Sequence, residues 1–355
     1  MSNSIELLDC TIRDGGYVND WQFSDDMVRN CYIACSNSGI DYMEIGFRNI
    51  KKPQFLEKYG PTFFCDDEFI NKTVGDINGC KIAVMVTINE FDINVFLPKS
   101  QSKIDMVRVL LAYHGSKNKS DDILDIDLLK QGMSQVRQLV DLGYEISFNV
   151  GRIDKMSKSQ IYELCKIISQ EQIKYFTMAD TYGCVDLNDI ETLIPYVTFL
   201  LRDVFETNIK IGFHAHDNMS TATAKSLHSL KFGVTMIDGC ILGYGRGSGN
   251  AKTELLMMDL NKNYNKSYDF VNSIDFGDSF IVSYKECQNN LCYNVIYALS
   301  SYYGCHVSYA IDIIEKFEKM NISDICYVFS TLKQKKQNMF YNDRLFMIIY
   351  TEKII

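Results

Sequence analysis

The chain has 355 residues, of which 46% are hydrophobic and 23% are charged, and its formal net charge is −9 at pH 7. No run of about 18 apolar residues is present, which argues against an integral membrane protein. The acidic balance argues against a nucleic-acid partner, because neutralising phosphates requires a basic surface. The amino terminus has no basic region followed by an apolar segment, so we expect a cytoplasmic protein.

Eight short apolar or β-branched runs alternate with longer amphipathic stretches, which indicates a parallel sheet with crossover helices. The predicted strands are residues 5–12, 41–47, 81–88, 105–113, 144–150, 174–180, 209–216 and 235–242. Eight strands and eight crossovers over roughly 270 residues favour a closed (β/α)₈ TIM barrel, of class α/β, over an open doubly wound sheet.

Two of the crossover segments carry clear helix boundaries. Ser24 precedes acidic residues in a first turn, and Gly39 ends that helix. A second helix is predicted to be capped by Ser220 or Thr221 and to end at Gly233.

Beyond about Asp278 the pattern becomes helical only, most clearly at residues 289–304, 308–320 and 323–334. No Pro-rich or Gly-rich linker precedes these helices. We therefore expect a barrel domain over residues 1–278 and a helical domain over residues 279–355 that packs on it.

Twelve cysteines are scattered along the chain, several of them inside apolar runs, and no CxxC pair has zinc-finger spacing. Cys31 and Cys35 lie one helical turn apart, a spacing that core packing explains. Buried, reduced thiols are therefore expected in preference to disulfides.

The seventh predicted strand ends in HAHDN, and side chains alternate along a strand, so His214 and His216 project to the same side. In an eight-stranded ring only strand eight separates this strand from strand one, which Asp14 follows. Two imidazoles and a carboxylate leave open positions on a metal ion, as a catalytic site requires. Asn250 could add an amide oxygen. The alternative is a pair of histidines that only form hydrogen bonds in a polar barrel mouth.

The residues next to these candidate ligands suit the stabilisation of negative charge. Arg13 precedes Asp14, and a guanidinium beside a divalent cation can stabilise an enolate oxygen. Glu44 either forms a salt bridge with Arg13 at the rim or orients it for reaction, and both can hold at once. The glycine-rich loop around Arg246 has an alternative role in cradling phosphate.

Five separated motifs then point to a family: LLDCTIRDGG, DYMEIGF, MADTYG, GFHAHDN and GYGRGSGNAKTE. In their order and spacing the chain resembles the HMG-CoA lyase-like superfamily, the DRE-TIM metallolyases, and it is most similar to 4-hydroxy-2-oxovalerate aldolase-like proteins. The carboxyl-terminal segment YGCHVSYAIDII also resembles a histidine-containing helical stretch of such proteins. The resemblance implies Asp14, His214, His216 and Asn250 as ligands of Mn²⁺, Mg²⁺, Co²⁺ or Zn²⁺, with Arg13 as the catalytic arginine and Glu44 as the glutamate of the family.

The implied activity is that of a carbon–carbon lyase, a type II aldolase that cleaves or forms a bond in a small 4-hydroxy-2-oxo acid through a metal-bound pyruvate-type enolate. The resembled aldolases carry a histidine where this chain has Tyr17. A phenol with a pKa of about 10 is a poor base at neutral pH unless hydrogen bonding or a nearby cation lowers that pKa. His114 and a water on the ion are the alternative bases. His114 is equally well explained as a group that only hydrogen-bonds substrate or backbone.

Substrate contacts are predicted for residues that follow strands five, six and eight: Asn149, Arg152, Asp180, Tyr182 and Arg246. The first four are as easily packing or loop-capping residues, and Arg246 could instead hold phosphate. A small 2-oxo acid is the expected substrate, and a second copy of the chain or a partner enzyme is expected at the carboxyl-terminal helices.

Two other functions remain open. One is an acyl-CoA/2-oxo acid condensing synthase, although the first motif of those enzymes continues with acidic and glutamine residues where this chain has Gly15, Gly16 and Tyr17. The other is a non-catalytic barrel that acts as a subunit or scaffold.

Overall fold

The computed structural model describes residues 5–111, 125–281, 295–316, 320 and 322–354. Eight parallel strands pair in sequence order, and the eighth pairs back with the first, so the sheet closes into a barrel. The strands are β1 Glu6–Asp9, β2 Tyr42–Phe47, β3 Lys81–Thr87, β4 Ile104–Leu111, β5 Glu145–Gly151, β6 Tyr175–Asp180, β7 Lys210–Ala215 and β8 Val234–Gly239. The predicted closed barrel is confirmed.

Helices surround this barrel and lie between most of its strands. They are α1 Thr11–Asn19, α2 Asp25–Asn37, α3 Pro53–Leu56, α4 Asp67–Val74, α5 Ile126–Asp141, α6 Lys158–Ile168, α7 Leu187–Phe199, α8 Ala222–Ser229, α9 Thr253–Asn263 and α10 Phe270–Phe276. None of the described helices has the length and apolar character that spanning a membrane requires.

The first strand is shorter than the sequence predicted. It ends at Asp9, whose side chain accepts a hydrogen bond from the Thr11 backbone N–H (3.0 Å) and turns the chain into α1. The prediction that this strand runs to Ile12 is therefore wrong. Arg13 and Asp14 instead lie in the first turns of a short helix over the barrel mouth.

The crossover between β3 and β4 also differs from the prediction. Residues 88–103 contain no α-helix, only two 3₁₀ turns at Ile93–Val95 and Lys99–Gln101. The Asp92 side chain accepts a hydrogen bond from Asn94 N–H (2.9 Å) and caps the first turn, and Pro98 precedes the second. These turn-forming residues prevent a continuous helix from forming, so the expectation of eight helical crossovers is wrong here.

The predicted boundaries of α2 agree with the structure, and so does the predicted start of α8. Ser24 accepts a hydrogen bond from the backbone of Met27 (3.2 Å). Thr221 occupies the N-cap position of α8, but its side chain forms no capping hydrogen bond, and the Asp217 carboxylate accepts the hydrogen bond from Ala222 N–H (2.8 Å). Gly233 does adopt the left-handed conformation beyond this helix (φ 105°).

The barrel interior is divided into two layers. Its lower layer is an apolar cluster to which Leu8, Tyr42, Met106, Tyr175 and Met236 contribute. Further along the same inward-facing strand positions, toward the carboxyl ends, buried polar and charged side chains replace the apolar ones. The apolar layer closes the bottom of the barrel, and the polar layer forms the floor of a cavity.

The carboxyl-terminal residues form a second hydrophobic core. Its helices are α11 Val295–Tyr303, α12 Val307–Lys316, α13 Ile322–Gln334 and α14 Asp343–Ile354, the last of which was not predicted. They contact the barrel where Ser301 Oγ donates to the Tyr182 carbonyl (2.6 Å) and the Tyr182 phenol donates to the Met339 carbonyl (2.7 Å). The domain boundary at residue 278 stays a prediction.

The cysteines in the described part of the chain are free, and most of them are buried. Cys31 and Cys35 lie on the buried face of α2 and are part of the hydrophobic core, in agreement with the packing role predicted from their spacing.

Candidate active site at the carboxyl end of the barrel

A cavity of about 230 Å³ opens at the carboxyl ends of the strands. Most of the predicted site residues line this cavity: Arg13, Asp14, Tyr17, Asn149, Arg152, Tyr182, His214, His216 and Arg246. Glu44, Asp180 and Asn250 are buried behind its wall. His114 lies outside the described residues.

Asp14, His214 and His216 form a cluster of candidate metal ligands in this cavity. One donor atom from each residue lies within 4.8 Å of the others, and all three residues are buried. The two histidines come from the carboxyl end of β7. Asp14 comes from α1, which directly follows β1. The structure thus brings together the three side chains that the sequence placed at one rim.

Hydrogen bonds fix the Asp14 carboxylate from two sides. Oδ1 accepts from the Asn250 amide (2.9 Å) and from the backbone N–H of Arg246 (3.1 Å), while Oδ2 accepts from the Arg13 guanidinium (2.5 Å). Burial alone would raise the pKa of Asp14, but nearby positive charge, chiefly that of Arg13, holds it well below its usual value. The carboxylate therefore stays ionised.

The Asn250 side chain shows that the cluster fits a cation. Its nitrogen donates to Asp14, which leaves Oδ1 buried and without a hydrogen-bond partner among the described residues. A buried carbonyl oxygen with no donor is costly unless it meets a donor or a cation. Together with the carboxylate and two imidazoles, it completes an oxygen and nitrogen donor set of the kind that binds divalent ions.

The glycine-rich loop lets its own backbone pack tightly beside this cluster. A Cβ at Gly245 would lie 2.0 Å from the Asn250 amide nitrogen and 2.7 Å from Asp14 Oδ1. A Cβ at Gly249, which also has a positive φ of 90°, would lie 1.9 Å from the Gly243 carbonyl oxygen. The glycines thus hold Asn250 and Asp14 in place, and this packing accounts for them without a phosphate-binding role.

The two imidazoles have different surroundings. His214 Nδ1 lies 3.0 Å from the Asp238 carboxylate, and its Nε2 lies 3.9 Å from Asp14 Oδ2. Burial lowers the pKa of both rings, and that of His216 stays well below its usual value. At His214 the hydrogen bonds to Asp238 and Cys10 outweigh burial and raise the pKa to about 10, so an ion there would have to displace a proton.

A chain of buried ion pairs supports this cluster from below, and sequence reasoning missed its centre. Arg108 donates to Glu44 (3.0 Å) and to Asp238 (2.5 Å), and all three side chains are inaccessible to solvent. Asp238 in turn holds His214, while Glu44 holds Arg13. The only sequence signal was a charged residue, Arg108 or Asp238, within a largely apolar strand.

Arg13 is held as a fixed cation at the cavity wall. Its Nε donates to Glu44 (2.6 Å) and its NH1 donates to Asp14 (2.5 Å). Burial alone would lower the pKa of Arg13, but these two carboxylates raise it well above its usual value. Both of the predicted roles of Glu44, salt bridge and orientation, are compatible with this geometry.

Tyr17 lies over the cavity within an aromatic cluster. Its ring contacts Trp21 (4.7 Å between centroids), and the Arg246 guanidinium lies 5.1 Å from its centroid. The residue is 40% exposed, yet loss of water around the phenol raises its pKa, against the opposing charges of Arg246 and Arg13. The cations therefore do not turn this phenol into a base at neutral pH.

The predicted substrate contacts after β5 and β6 divide into two groups. Arg152, Asn149 and Tyr182 line the cavity. Asp180 does not, because it forms an ion pair with buried Lys225 and accepts a hydrogen bond from Val185 N–H (3.1 Å). It has the loop-capping role that was the alternative for this residue.

His306 also lines the cavity, although it belongs to the carboxyl-terminal helices. Its ring lies 5.5 Å from that of Tyr182, measured between centroids. The sequence predicts a helical stretch that contains this histidine but does not predict its distance from the barrel, so His306 was not among the predicted site residues.

A closed (β/α)₈ barrel with a charged cavity at the carboxyl ends of its strands defines a TIM-barrel enzyme. The HMGL-like family model matches residues 4–278. The chain belongs to the HMGL-like family, as the resemblance of its five motifs predicted.

The relatives agree with this assignment. The 4-hydroxy-2-oxovalerate aldolase of Moorella thermoacetica is 24% identical over 283 residues, which cover 79% of this chain and 77% of the aldolase. The oxaloacetate decarboxylase of Mycobacterium tuberculosis is 23% identical over 260 residues, which cover 72% and 70%. A crystal structure of the N-terminal domain of a Bacteroides vulgatus protein assigned as an aldolase has a TM-score of 0.70 and 25% identity, and the match covers 88% of this chain and 98% of that one. Both named enzymes break carbon–carbon bonds, which confirms the predicted class, a carbon–carbon lyase, at the level of the family.

Proposed function

We propose that the protein is a divalent-metal-dependent aldolase that breaks or forms the bond between C3 and C4 of a small 4-hydroxy-2-oxo acid. The observation that carries the proposal is the convergence of Asp14, His214 and His216 within 4.8 Å, beside the fixed guanidinium of Arg13. The names of the relatives support the substrate class, because 4-hydroxy-2-oxovalerate and oxaloacetate are both 2-oxo acids.

Asp14, His214 and His216 would hold the ion, and Asn250 would add its unpaired amide oxygen. When bound, a divalent ion would supply electrophilic polarisation of the 2-oxo group. A donor set of carboxylate, amide oxygen and imidazole suits Mn²⁺, Mg²⁺, Co²⁺ and Zn²⁺, so the choice of ion is left to experiment.

Arg13 would hydrogen-bond the oxygen that gains negative charge as the C3–C4 bond breaks. Its contacts with Glu44 and Asp14 fix the guanidinium before the substrate arrives, and preorganised donors of this kind stabilise developing charge strongly. Glu44 does not line the cavity, so it acts by positioning Arg13.

The hydroxyl on C4 must lose its proton when the bond breaks. The raised pKa of Tyr17 keeps the phenol protonated, so we assign Tyr17 the role of a hydrogen-bond donor to the substrate. We assign proton removal to His114, the alternative base that the sequence offers.

Metal removal tests the proposal. Protein treated with a chelator should stop releasing pyruvate from 4-hydroxy-2-oxo acids and should recover when Mn²⁺, Mg²⁺ or Co²⁺ is added. Electron paramagnetic resonance should show tight Mn²⁺ binding in the natural protein and its loss in His216→Ala. His228→Ala is the matched control, because His228 lies on α8 outside the cavity.

The proposal fails if no added ion restores turnover of any 4-hydroxy-2-oxo acid. Release of free thiol from acetyl-CoA in the presence of 2-oxo acids would instead identify a condensing synthase.

A further inference from the structure

The cavity also carries polar groups that the proposed bond cleavage does not use. Arg152 follows β5, Tyr182 follows β6, Arg246 follows β8, and His306 lies immediately before α12. All four line the cavity. We call these four residues the distal cluster.

Arg152 is the centre of the distal cluster. It is only 1% exposed, and its Nε donates to the Asp154 carboxylate (3.2 Å). Its NH1 and NH2 groups are buried without a hydrogen-bond partner among the described residues. Because a buried cation with unpaired N–H groups is costly, this arrangement indicates a ligand that the chain does not itself supply.

The backbone at Arg152 supports the same interpretation. This residue adopts a left-handed conformation, with φ 56° and ψ 32°, although it is not glycine. Such conformations are costly for residues with a Cβ and are concentrated at functional sites. The Arg152 guanidinium lies 4.0 Å from the centroid of the Tyr182 ring, so a cation–π contact also holds it in place.

His306 adds a neutral hydrogen-bond donor. Its Nδ1 accepts from the Ser308 backbone N–H (3.2 Å), which assigns the proton of the neutral ring to Nε2. Burial, and then the charges of Arg246 and Arg152, lower the pKa of His306 to about 3. The ring is therefore neutral at physiological pH and offers an N–H group.

The charge balance of the distal cluster favours an anion. Arg152 and Arg246 contribute two positive charges. Asp154 is the carboxylate that contacts Arg152, and it also pairs with Lys155 (3.2 Å), so it offsets only part of this charge. Arg246 donates through NH2 to the Thr181 carbonyl (3.2 Å), which holds the guanidinium but does not neutralise it.

We propose that the distal cluster binds a second anionic group, so that the substrate is a 2-oxo acid with a carboxylate or phosphate at its opposite end. The inference rests on the proposed function, which places the 2-oxo acid end of the substrate at Asp14, His214 and His216. The NH1 and NH2 groups of Arg152, which have no hydrogen-bond partner among the described residues, form a planar fork that matches two oxygens of a carboxylate or phosphate. Because His306 belongs to the carboxyl-terminal region, that region takes part in substrate selection.

The test compares two ligands that differ only at the distal end. 2-Oxoglutarate carries a terminal carboxylate where 2-oxopentanoate carries a methyl group, and neither has the hydroxyl needed for cleavage. Titration calorimetry of the Mn²⁺-supplemented protein should show about 10–100-fold tighter binding of 2-oxoglutarate, as expected for a charge-assisted bidentate contact. 3-Phosphonooxypyruvate in the same titration shows whether carboxylate or phosphate is the preferred group.

Variants at Arg152 then locate this preference. Arg152→Leu should bind the two oxo acids about equally, whereas Arg152→Lys should keep part of the preference because it retains charge without the fork. Arg202→Leu is the matched control, since Arg202 is an exposed arginine paired with Asp203, and it should keep the natural preference.

Equal affinity of the natural protein for the two ligands overturns the inference, whatever the folding of the variants. Equal weakening of both ligands by Arg152→Leu also overturns it. The proposed function is measured separately, by pyruvate release. If the protein prefers 2-oxoglutarate but cleaves no 4-hydroxy-2-oxo acid, the inferred anion site stands and the proposed aldolase activity fails.

Discussion

The two sides of the cavity differ in the kind of buried atom that lacks a hydrogen-bond partner within the described part of the chain. Beside the proposed metal site, the unpaired atoms are oxygens: Glu44 Oε1, Asp238 Oδ1 and Asn250 Oδ1. In the distal cluster they are the NH1 and NH2 donors of Arg152. One side is thus electrostatically suited to a cation and the other to an anion, which is the arrangement that a metal-dependent enzyme for a doubly anionic substrate requires.

The difference also separates two tasks. Near Arg13 and His214, ion pairs within the chain fix the reactive groups before any ligand binds. At Arg152 the guanidinium gains its remaining partners only when a ligand arrives. We therefore expect substitutions on the metal side to change the rate of bond cleavage for every substrate, and substitutions in the distal cluster to change the preference among substrates.

The largest expected effect is at the proposed proton acceptor. His114→Gln should lower kcat by about 10²–10⁴-fold, the usual contribution of general base catalysis, with mono- and dianionic substrates affected alike. Tyr17→Phe removes only a hydrogen-bond donor and should lower kcat by less than about 10-fold. Steady-state kinetics of pyruvate release measure both. A loss in Tyr17→Phe that exceeds the loss in His114→Gln would reverse the two assignments.

Arg13→Lys comes next. Lysine keeps the positive charge beside Asp14 but loses the geometry held by Glu44, so kcat should fall by about 10²–10³-fold while Mn²⁺ affinity changes little. Kinetics and Mn²⁺ titration by electron paramagnetic resonance give the two values, and Arg202→Lys serves as control. If Mn²⁺ affinity falls as much as kcat, Arg13 acts by holding the ligand Asp14.

Asp238→Asn tests the buried support of His214. The carboxylate that orients the imidazole and receives its hydrogen bond is lost, so Mn²⁺ affinity should fall by about 10–100-fold. The control is Asp259→Asn, which changes a half-buried carboxylate on α9 outside the cavity, and this variant should bind Mn²⁺ as the natural protein does. Unchanged affinity in Asp238→Asn would mean that the ion does not use His214.

The sequence predicted the features that depend on local pattern. The alternation of apolar runs and helices was sufficient for the closed barrel, and the spacing of His214 and His216 placed both imidazoles on one side of β7. The order of the strands around the closed barrel was sufficient to predict that Asp14 lies near these two histidines, although Asp14 lies on α1 and not at a strand end.

What the sequence did not predict depends on contacts across the barrel. Arg108 meets Glu44 and Asp238 only because the registers of β2, β4 and β8 bring their inward positions to one level. His306 reaches the cavity only through the packing of helices far along the chain. Neither relation has a short-range pattern from which it could be inferred.

The smallest expected effect is at His306, and it distinguishes the two sides of the cavity most directly. His306→Gln should weaken binding of 2-oxoglutarate by about 3–10-fold, the contribution of one neutral donor to a charged acceptor, and should leave Mn²⁺ and 2-oxopentanoate binding unchanged.

Since the pKa of His306 is lowered to about 3, its ring carries no charge between pH 6 and pH 9, and its contribution should be constant over that range. The measurement is calorimetry of both oxo acids at three pH values. If His306 instead took up a proton from solvent when the anion binds, the advantage of the natural protein over His306→Gln would shrink as pH rises through the pKa of His306 in the complex. A flat difference across the range supports donation by the neutral ring, and equal effects on both oxo acids would place His306 outside the distal cluster.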